Sequence, residues 1–385
     1  MDVTIRILFV AFIASIALVW LLVFGYILAL SVAAAFKKKV MSPSPLWPGI
    51  AIVVPALNEE ALILDKLDDL RKIDYPKDRI AIVVVDGGST DLTADLVQNE
   101  IDKGNPIRLV RMNGVRKKVE QVNRAMEILP QDILAFTDAD ARLEPSCIKR
   151  LVELLMGDPR LAIAGASVVP KTPLVEERIH WRLLNFLWWL EGEVFVSAGF
   201  SGVCYAIRKK AVPAIQPEAL TEDISLALAV RARGWRVRTC PSARATELRV
   251  PKTIKDLLEY RRRRGSGYLV ELLRARPRLS SPMLWRLARW VRIGQFCLVP
   301  WTVVSGMVLG GILVFTGYKL NVLLALGLFL VSAFSLVFFL NRHEGNPPSC
   351  LKLGPATLRF GILTLVSLLT LNRHPSLQIP RGGKR

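Results

Sequence analysis

Apolar and polar residues fall into blocks with different periodicities along this chain. Residues 7–36 form a run of 30 without a charge. As a helix this run would extend ~45 Å against a hydrocarbon core of ~30 Å. Residues 293–317 and 320–340 are uncharged for 25 and 21 residues, with only Tyr318 and Lys319 between them, which predicts a transmembrane hairpin. A fourth apolar piece, 360–371, has 12 residues and follows Arg359. It is short for a span and is expected to be re-entrant, interfacial, or a span stretched around Arg359. A secretory signal fits the first block poorly. Such an apolar region is ~7–15 residues long with positive charge ahead of it, whereas Lys37, Lys38 and Lys39 follow this one. A retained anchor is expected.

The middle of the chain has a shorter rhythm. Runs rich in Val and Ile at 50–55, 80–86, 107–112, 132–138 and 161–169 alternate with helical patterns at 59–72, 90–103 and 117–129. Continuous apolar runs suit strands covered on both faces, and the alternation predicts a mainly parallel sheet with crossover helices. In such sheets ligands gather beyond the carboxyl ends of the strands. Three polar clusters fall there: "NEE" after the first run, "DGGSTD" after the second and "DAD" after the fourth. Residues 174–198 differ, carrying Trp181, Trp188 and Trp189 among Leu, Phe and charges. A helix packed on the core would explain this stretch. An interfacial helix with its tryptophans at headgroup depth is the expectation adopted.

Charge then sharpens the membrane reading. The formal net charge is +19, from 52 Lys+Arg and 33 Asp+Glu. Nucleic-acid binding is one source of such an excess, but the basic residues cluster at span ends: Lys37–Lys39, and Arg274, Arg276, Arg278, Arg286, Arg289 and Arg292. That placement marks a cytoplasmic side and a bilayer with anionic lipids. It predicts that the middle of the chain lies in the cytoplasm and the N-terminus outside; the plasma membrane of a prokaryote is the expected location. Three spans also leave the basic tail, 381–385, inside. The five cysteines are isolated and the three histidines lie far from any acidic cluster. Zinc, disulfide and Ser-His-Asp chemistry are not expected, which leaves carboxylates.

Each acidic cluster has an ordinary explanation beside a chemical one. Asp86 ends a run, Gly87 and Gly88 permit a tight turn, and Ser89 or Thr90 can cap a helix; Asp86 is also placed to accept hydrogen bonds from a base or ribose. Asp138 and Asp140 suit a solvated turn before a helix near Pro145. They equally suit Mg2+ or Mn2+, which takes hard oxygen ligands from one or two carboxylates plus phosphate. Glu222 and Asp223 complement the dipole of a helix from Thr221, or Asp223 is a general base. The block Arg261, Arg262, Arg263, Arg264 is a solvated or lipid-facing run, or a fork for a diphosphate.

The order "PALNEE", "VDGGSTD", "KKVEQVN", "DAD", "TED" and "YRRRRGSGY" resembles the membrane-anchored family 2 glycosyltransferases, which use the GT-A fold. The similarity covers about 50–268, and the flanking spans are similar in arrangement to ceramide glucosyltransferase and cellulose- or hyaluronan-synthase-like enzymes. The resemblance implies an α/β, Rossmann-like GT-A domain at 41–270. It is flanked by an anchor with its basic flank at 1–40 and, at 271–385, by a basic interfacial segment, the hairpin, a short membrane-associated segment near 354–371 and the tail. It places Asn58, Glu59, Asp86, Lys118 and Asp138 around a nucleotide-sugar, expected to be UDP-linked, and Asp138 and Asp140 on Mg2+ or Mn2+. It makes Asp223 the base of an inverting transfer and puts Glu222 and Arg261–Arg264 at the diphosphate and acceptor. Two departures stand out: Gly87 where many relatives have a second aspartate, and Arg264 where they have a tryptophan lining the acceptor path. The Arg264 departure, with the membrane hairpin and the interfacial helix, favours a lipid or polyprenyl-phosphate acceptor. A processive polysaccharide synthase is the nearest alternative, and a non-catalytic nucleotide sensor or scaffold the alternative from another class.

Overall fold

The computed structural model describes residues 3–36, 47–114, 116–275, 281–342 and 350–371. Lys37–Lys39, Arg276, Arg278, His343, His374 and the tail 381–385 lie outside the described residues.

Among the described residues one eight-stranded sheet runs in the order β3-β2-β1-β4-β7-β6-β8-β5. Its first half is parallel: β1 (Ile50–Ala56) lies between β2 (Ile80–Asp86) and β4 (Ile133–Thr137), and β3 (Ile107–Arg111) flanks β2. Both faces are covered, as the unbroken apolar runs require. Ile50, Ile52 and Val54 pack with Leu67 and Leu70 of α3 (Ile63–Arg71) and Leu151 and Leu155 of α6 (Cys147–Gly157). Ala51 and Val53 face Val122 and Met126 of α5 (Lys118–Ile128) and Leu226 and Val230 of α8 (Glu222–Ala232). The remaining crossover helix, α4 (Thr93–Asp102), follows β2.

The second half is mixed. β7 (Cys204–Arg208) is antiparallel to both β4 and β6 (Leu161–Pro170), β8 (Arg236–Glu247) is parallel to β6, and β5 (Ala141–Leu143) closes the edge antiparallel to β8. None of β5, β7 and β8 stands out as an apolar run. β5 and β7 are three and five residues long, and β8 intersperses arginines with its buried positions.

The expectation for 174–198 requires correction. α7 (Val175–Glu193) is packed between the sheet and the apolar helices, and Trp181 and Trp188 are buried in the core. Its charges are counter-ions: Glu177 pairs with Arg261 at 3.3 Å, Glu176 with Arg359 at 2.7 Å and Glu191 with Arg292 at 3.6 Å. Charges that suggested an aqueous face are thus neutralised inside the protein, which lets the tryptophans turn inward.

Among the described residues two helical stretches are long and apolar enough to cross a membrane, Val3–Ala35 and Lys319–Phe338. The first comprises α1 (Val3–Trp20), a π-turn (Leu21–Gly25) and α2 (Tyr26–Ala35); the second lies within α12 (Lys319–Arg342). The run expected as a single span at 293–317 is divided. α10 (Met283–Cys297) bends by 48° into α11 (Val299–Phe315), giving up to three spans if this pair is one. Pro300 in the first turn of α11 supplies no N–H to the preceding turn, a sufficient cause of the bend. α13 (Cys350–Leu369) lies against α7 and α9 (Ile254–Arg274), with Arg359 held by Glu176.

Candidate active site

The cleft lies where the sequence placed its polar clusters, beyond the carboxyl ends of β1, β2 and β4. Asn58 adopts a left-handed conformation (φ 57°), and its side-chain oxygen accepts from the Thr90 N–H at 2.9 Å. The Asn58 N–H donates to Ser89 Oγ at 2.9 Å, and Ser89 Oγ in turn donates to Asp86 at 2.5 Å. The β1 and β2 loops are therefore one hydrogen-bonded unit. Gly87 has a steric cause: a Cβ there would sit 2.7 Å from the Arg116 carbonyl oxygen and 2.2 Å from Gln121 Nε2. A second aspartate has no room at this turn.

Lys118, the first residue of α5, joins the two halves of the sheet. Its Nζ lies 2.5 Å from Asp138, 2.6 Å from Glu222 and 3.1 Å from the Gly202 carbonyl oxygen. Asp138 is tied by its own N–H to the Val203 carbonyl at 3.0 Å. The Asp140 carbonyl accepts from the Leu248 N–H at 3.0 Å. Asp223, in the first turn of α8, accepts from the Gly202 N–H at 3.1 Å and its own neighbour Ile224 N–H at 2.8 Å. Burial, with the nearby Glu222 carboxylate adding to it, pushes the Asp223 carboxyl up to about 6 despite Arg264 and Lys118. Burial likewise pushes Asp138 up to about 7, against the pull of Lys118.

The arginine block is dispersed by the helix that carries it. Arg261 is buried against Glu177 and the Glu176 carbonyl, Arg262 donates to Thr370 at 2.7 Å, and Arg263 is exposed. Arg264 alone of the four reaches the cleft, donating to Glu247 at 3.1 Å and lying over the rings of Tyr260 and Trp181. Sequence reasoning passed over Glu247, Arg249, Gly202 and Lys66. Glu247 and Arg249 sit at and just beyond the end of β8, so recognising that strand would have exposed them. Arg249 reaches across the cleft to Glu59 with both terminal guanidinium nitrogens, one at 2.6 Å.

Six carboxylates (Glu59, Asp138, Asp140, Glu222, Asp223, Glu247) thus share one neighbourhood with Lys118, Arg249 and Arg264. The surplus of hard oxygen ligands fits a divalent cation at Asp138 and Asp140. Among the described residues no three His, Cys, Asp or Glu converge tightly enough to hold a metal alone, so a cation there would take its other ligands from a bound diphosphate and water.

Known proteins match this chain over both the sheet and the helices. The family model described as Glycosyl transferase family 2 matches residues 51–211, and that described as Glycosyl transferase family group 2 matches 133–341, more than half of the chain. The probable glycosyltransferase YdaM of Bacillus subtilis is 28% identical over 281 residues, 67% of this chain and 66% of its own length. Cellulose synthase 2 of Novacetimonas hansenii is 25% identical over 267 residues, 63% of this chain. The chain spans just under two thirds of the first relative and 16% of the second. The mannosyltransferase PcManGT from Pyrobaculum calidifontis, solved with GDP-Man and Mn2+, superposes with a TM-score of 0.70 at 22% identity, covering 94% of this chain and 99% of that one.

Proposed function

The chain belongs to glycosyl transferase family 2, and on that premise we propose that it moves a sugar, with inversion, from a UDP-linked donor to a lipid or polyprenyl-linked acceptor hydroxyl at the cytoplasmic face of a membrane. The observation that carries the mechanism is Asp223: a half-buried carboxylate aimed by the Gly202 N–H, next to the Lys118–Asp138–Glu222 cluster. Asn58, Glu59 and Asp86 line the nucleotide end, and Lys118 holds Asp138 toward the diphosphate. Asp138 and Asp140 would hold Mg2+ or Mn2+, which would neutralise the charge that builds on the departing diphosphate. Asp223 accepts the acceptor hydroxyl's proton while that oxygen bonds the anomeric carbon and the bond to the diphosphate oxygen breaks from the opposite face. One displacement releases nucleoside diphosphate and needs no enzyme nucleophile. Arg264 faces the base and the acceptor side.

Position supports a membrane acceptor. α9, which carries Arg264 into the cleft, is bonded on its other side to α13 through Arg261–Thr364 and Arg262–Thr370. The likeness to a cellulose synthase favours polymer synthesis as the second reading, against which stand the few candidate spans and an arginine at 264. The test is nucleoside diphosphate release by the purified chain with membrane lipids, Mn2+ and a panel of UDP- and GDP-sugars. Metal-dependent release with a single-sugar lipid product is expected; a long radiolabelled product selects the polymer reading, and no release from any donor defeats both.

A further inference from the structure

Lys66 is fully buried on α3, on the face that also carries Ile63, Leu67 and Leu70. A lysine is almost never fully buried unless paired, and nothing in the packing of that apolar face calls for an ammonium. Its three donors are all used. Nζ donates to Thr137 Oγ1 at 3.0 Å, to the Ala141 carbonyl oxygen at 3.1 Å and to Asp69 Oδ2 at 3.3 Å. Asp69 Oδ2 also accepts from the Leu143 N–H at 3.0 Å. Thr137 is the last residue of β4 and Ala141 the first of β5. A single buried cation therefore ties both ends of Thr137-Asp138-Ala139-Asp140-Ala141, and its counter-ion ties the strand that follows. Arg142 adds a lid from the outside, donating to the Ala139 and Ala141 carbonyls at 3.0 Å each.

We infer that Lys66, with Asp69, is a positioning residue that sets how far apart Asp138 and Asp140 present their carboxylates to the cation. The inference rests on the proposed reading of those two aspartates as cation ligands. Its burial separates Lys66 from any donor or acceptor, so its effect on the reaction passes through the turn it holds. Groups that orient a metal ligand in this way change metal affinity by about 10–100-fold when removed.

The experiment titrates Mn2+ into the full chain in detergent, with UDP or GDP present, and follows free Mn2+ by electron paramagnetic resonance. Wild type is compared with Lys66→Met and with Thr137→Val, which removes one acceptor at nearly constant shape. Lys66→Met is expected to weaken Mn2+ binding about tenfold or more and Thr137→Val by about threefold to tenfold, while metal-free nucleotide binding stays within about twofold. A purely structural role would lower the melting temperature and leave the Mn2+ affinity of the folded protein in place; that result overturns the inference. If Lys66→Met does not fold, Thr137→Val decides alone. A wild type that binds no Mn2+ with either nucleotide sinks the cation reading and the clamp with it, whereas unchanged affinity in folded variants sinks only the clamp.

Discussion

On the β3-β2-β1-β4 side of the sheet the strands are parallel, with β1 and β4 buried throughout, and the cleft is made from turns: Asn58, Asp86 and Ser89 bonded to one another across two loops. On the β7-β6-β8-β5 side the strands are mixed in direction, and the cleft is made from charges: Asp223, Glu247, Arg249 and Arg264. The first side can hold a ligand by shape, since its polar groups satisfy one another. The second holds buried and half-buried carboxylates whose protonation depends on their neighbours, as the proposed role of Asp223 requires. Lys118 and the 137–141 turn join the two.

The sharpest way to break this division is Asp223→Asn. If the second side carries the chemistry, turnover falls about 100- to 10,000-fold while nucleotide binding, made on the first side, is unchanged by calorimetry. The melting temperature is expected to hold or rise. A carboxyl raised from 3.8 to about 6 in the folded chain adds stability only below its unfolded pKa and loses it as pH climbs through the folded one, so at neutral pH the ionised group costs stability. Loss of nucleotide binding along with turnover would erase the division.

Two arginines three residues apart test it next. Arg261 and Glu177 are both buried, so Arg261→Met leaves an unpaired carboxylate and is expected to cost about 3–5 kcal/mol in chemical denaturation. Arg264→Met, at a half-exposed site, is expected to lower turnover with a smaller loss of stability. The reverse pattern would move the site to the α7 side of α9. Smaller again is the pH effect. With Asp223 as base, kcat/KM should fall as pH drops through about 6, approaching tenfold per unit below it, and the residual rate of Asp223→Asn should lack that limb.

The same division explains what was legible beforehand. β1, β4 and β6 read directly from apolar runs because a covered strand must be apolar throughout, and the part-exposed β2 and β3 kept enough Val, Ile and Leu to read the same way. β7 and β8 did not, since antiparallel pairing and interspersed arginines dilute the signal, and Glu247 and Arg249 were hidden with them. Trp181 and Trp188 misled for a related reason. Amphipathic composition is shared by a helix at the lipid surface and by one buried between a sheet and basic helices, and only the partners Arg261, Arg292 and Arg359 distinguish them. The four arginines read as a block because sequence order hides the ~100° turn per residue that swings Arg262 and Arg263 off the face shared by Arg261 and Arg264, and on that face it is Arg264 that reaches Glu247.

The smallest expected effect concerns the contact between the sides. Arg249 donates from beyond β8 to Glu59 beyond β1, and half of its side chain remains exposed. With Arg249 half in solvent the pair is screened toward the about 0–1 kcal/mol of surface pairs, so Arg249→Met should move the melting temperature little. Glu59 would then face the nucleotide end with its charge unpaired, beside Asp140, and repel the incoming diphosphate. Donor KM is therefore expected to rise about threefold to fivefold with kcat unchanged, in line with that energy. The gap should narrow in high salt, where exposed charges are screened within ~3 Å at 1 M. A fall in kcat instead would place Arg249 at the reacting atoms, and the contact between the two sides would then belong to the chemistry.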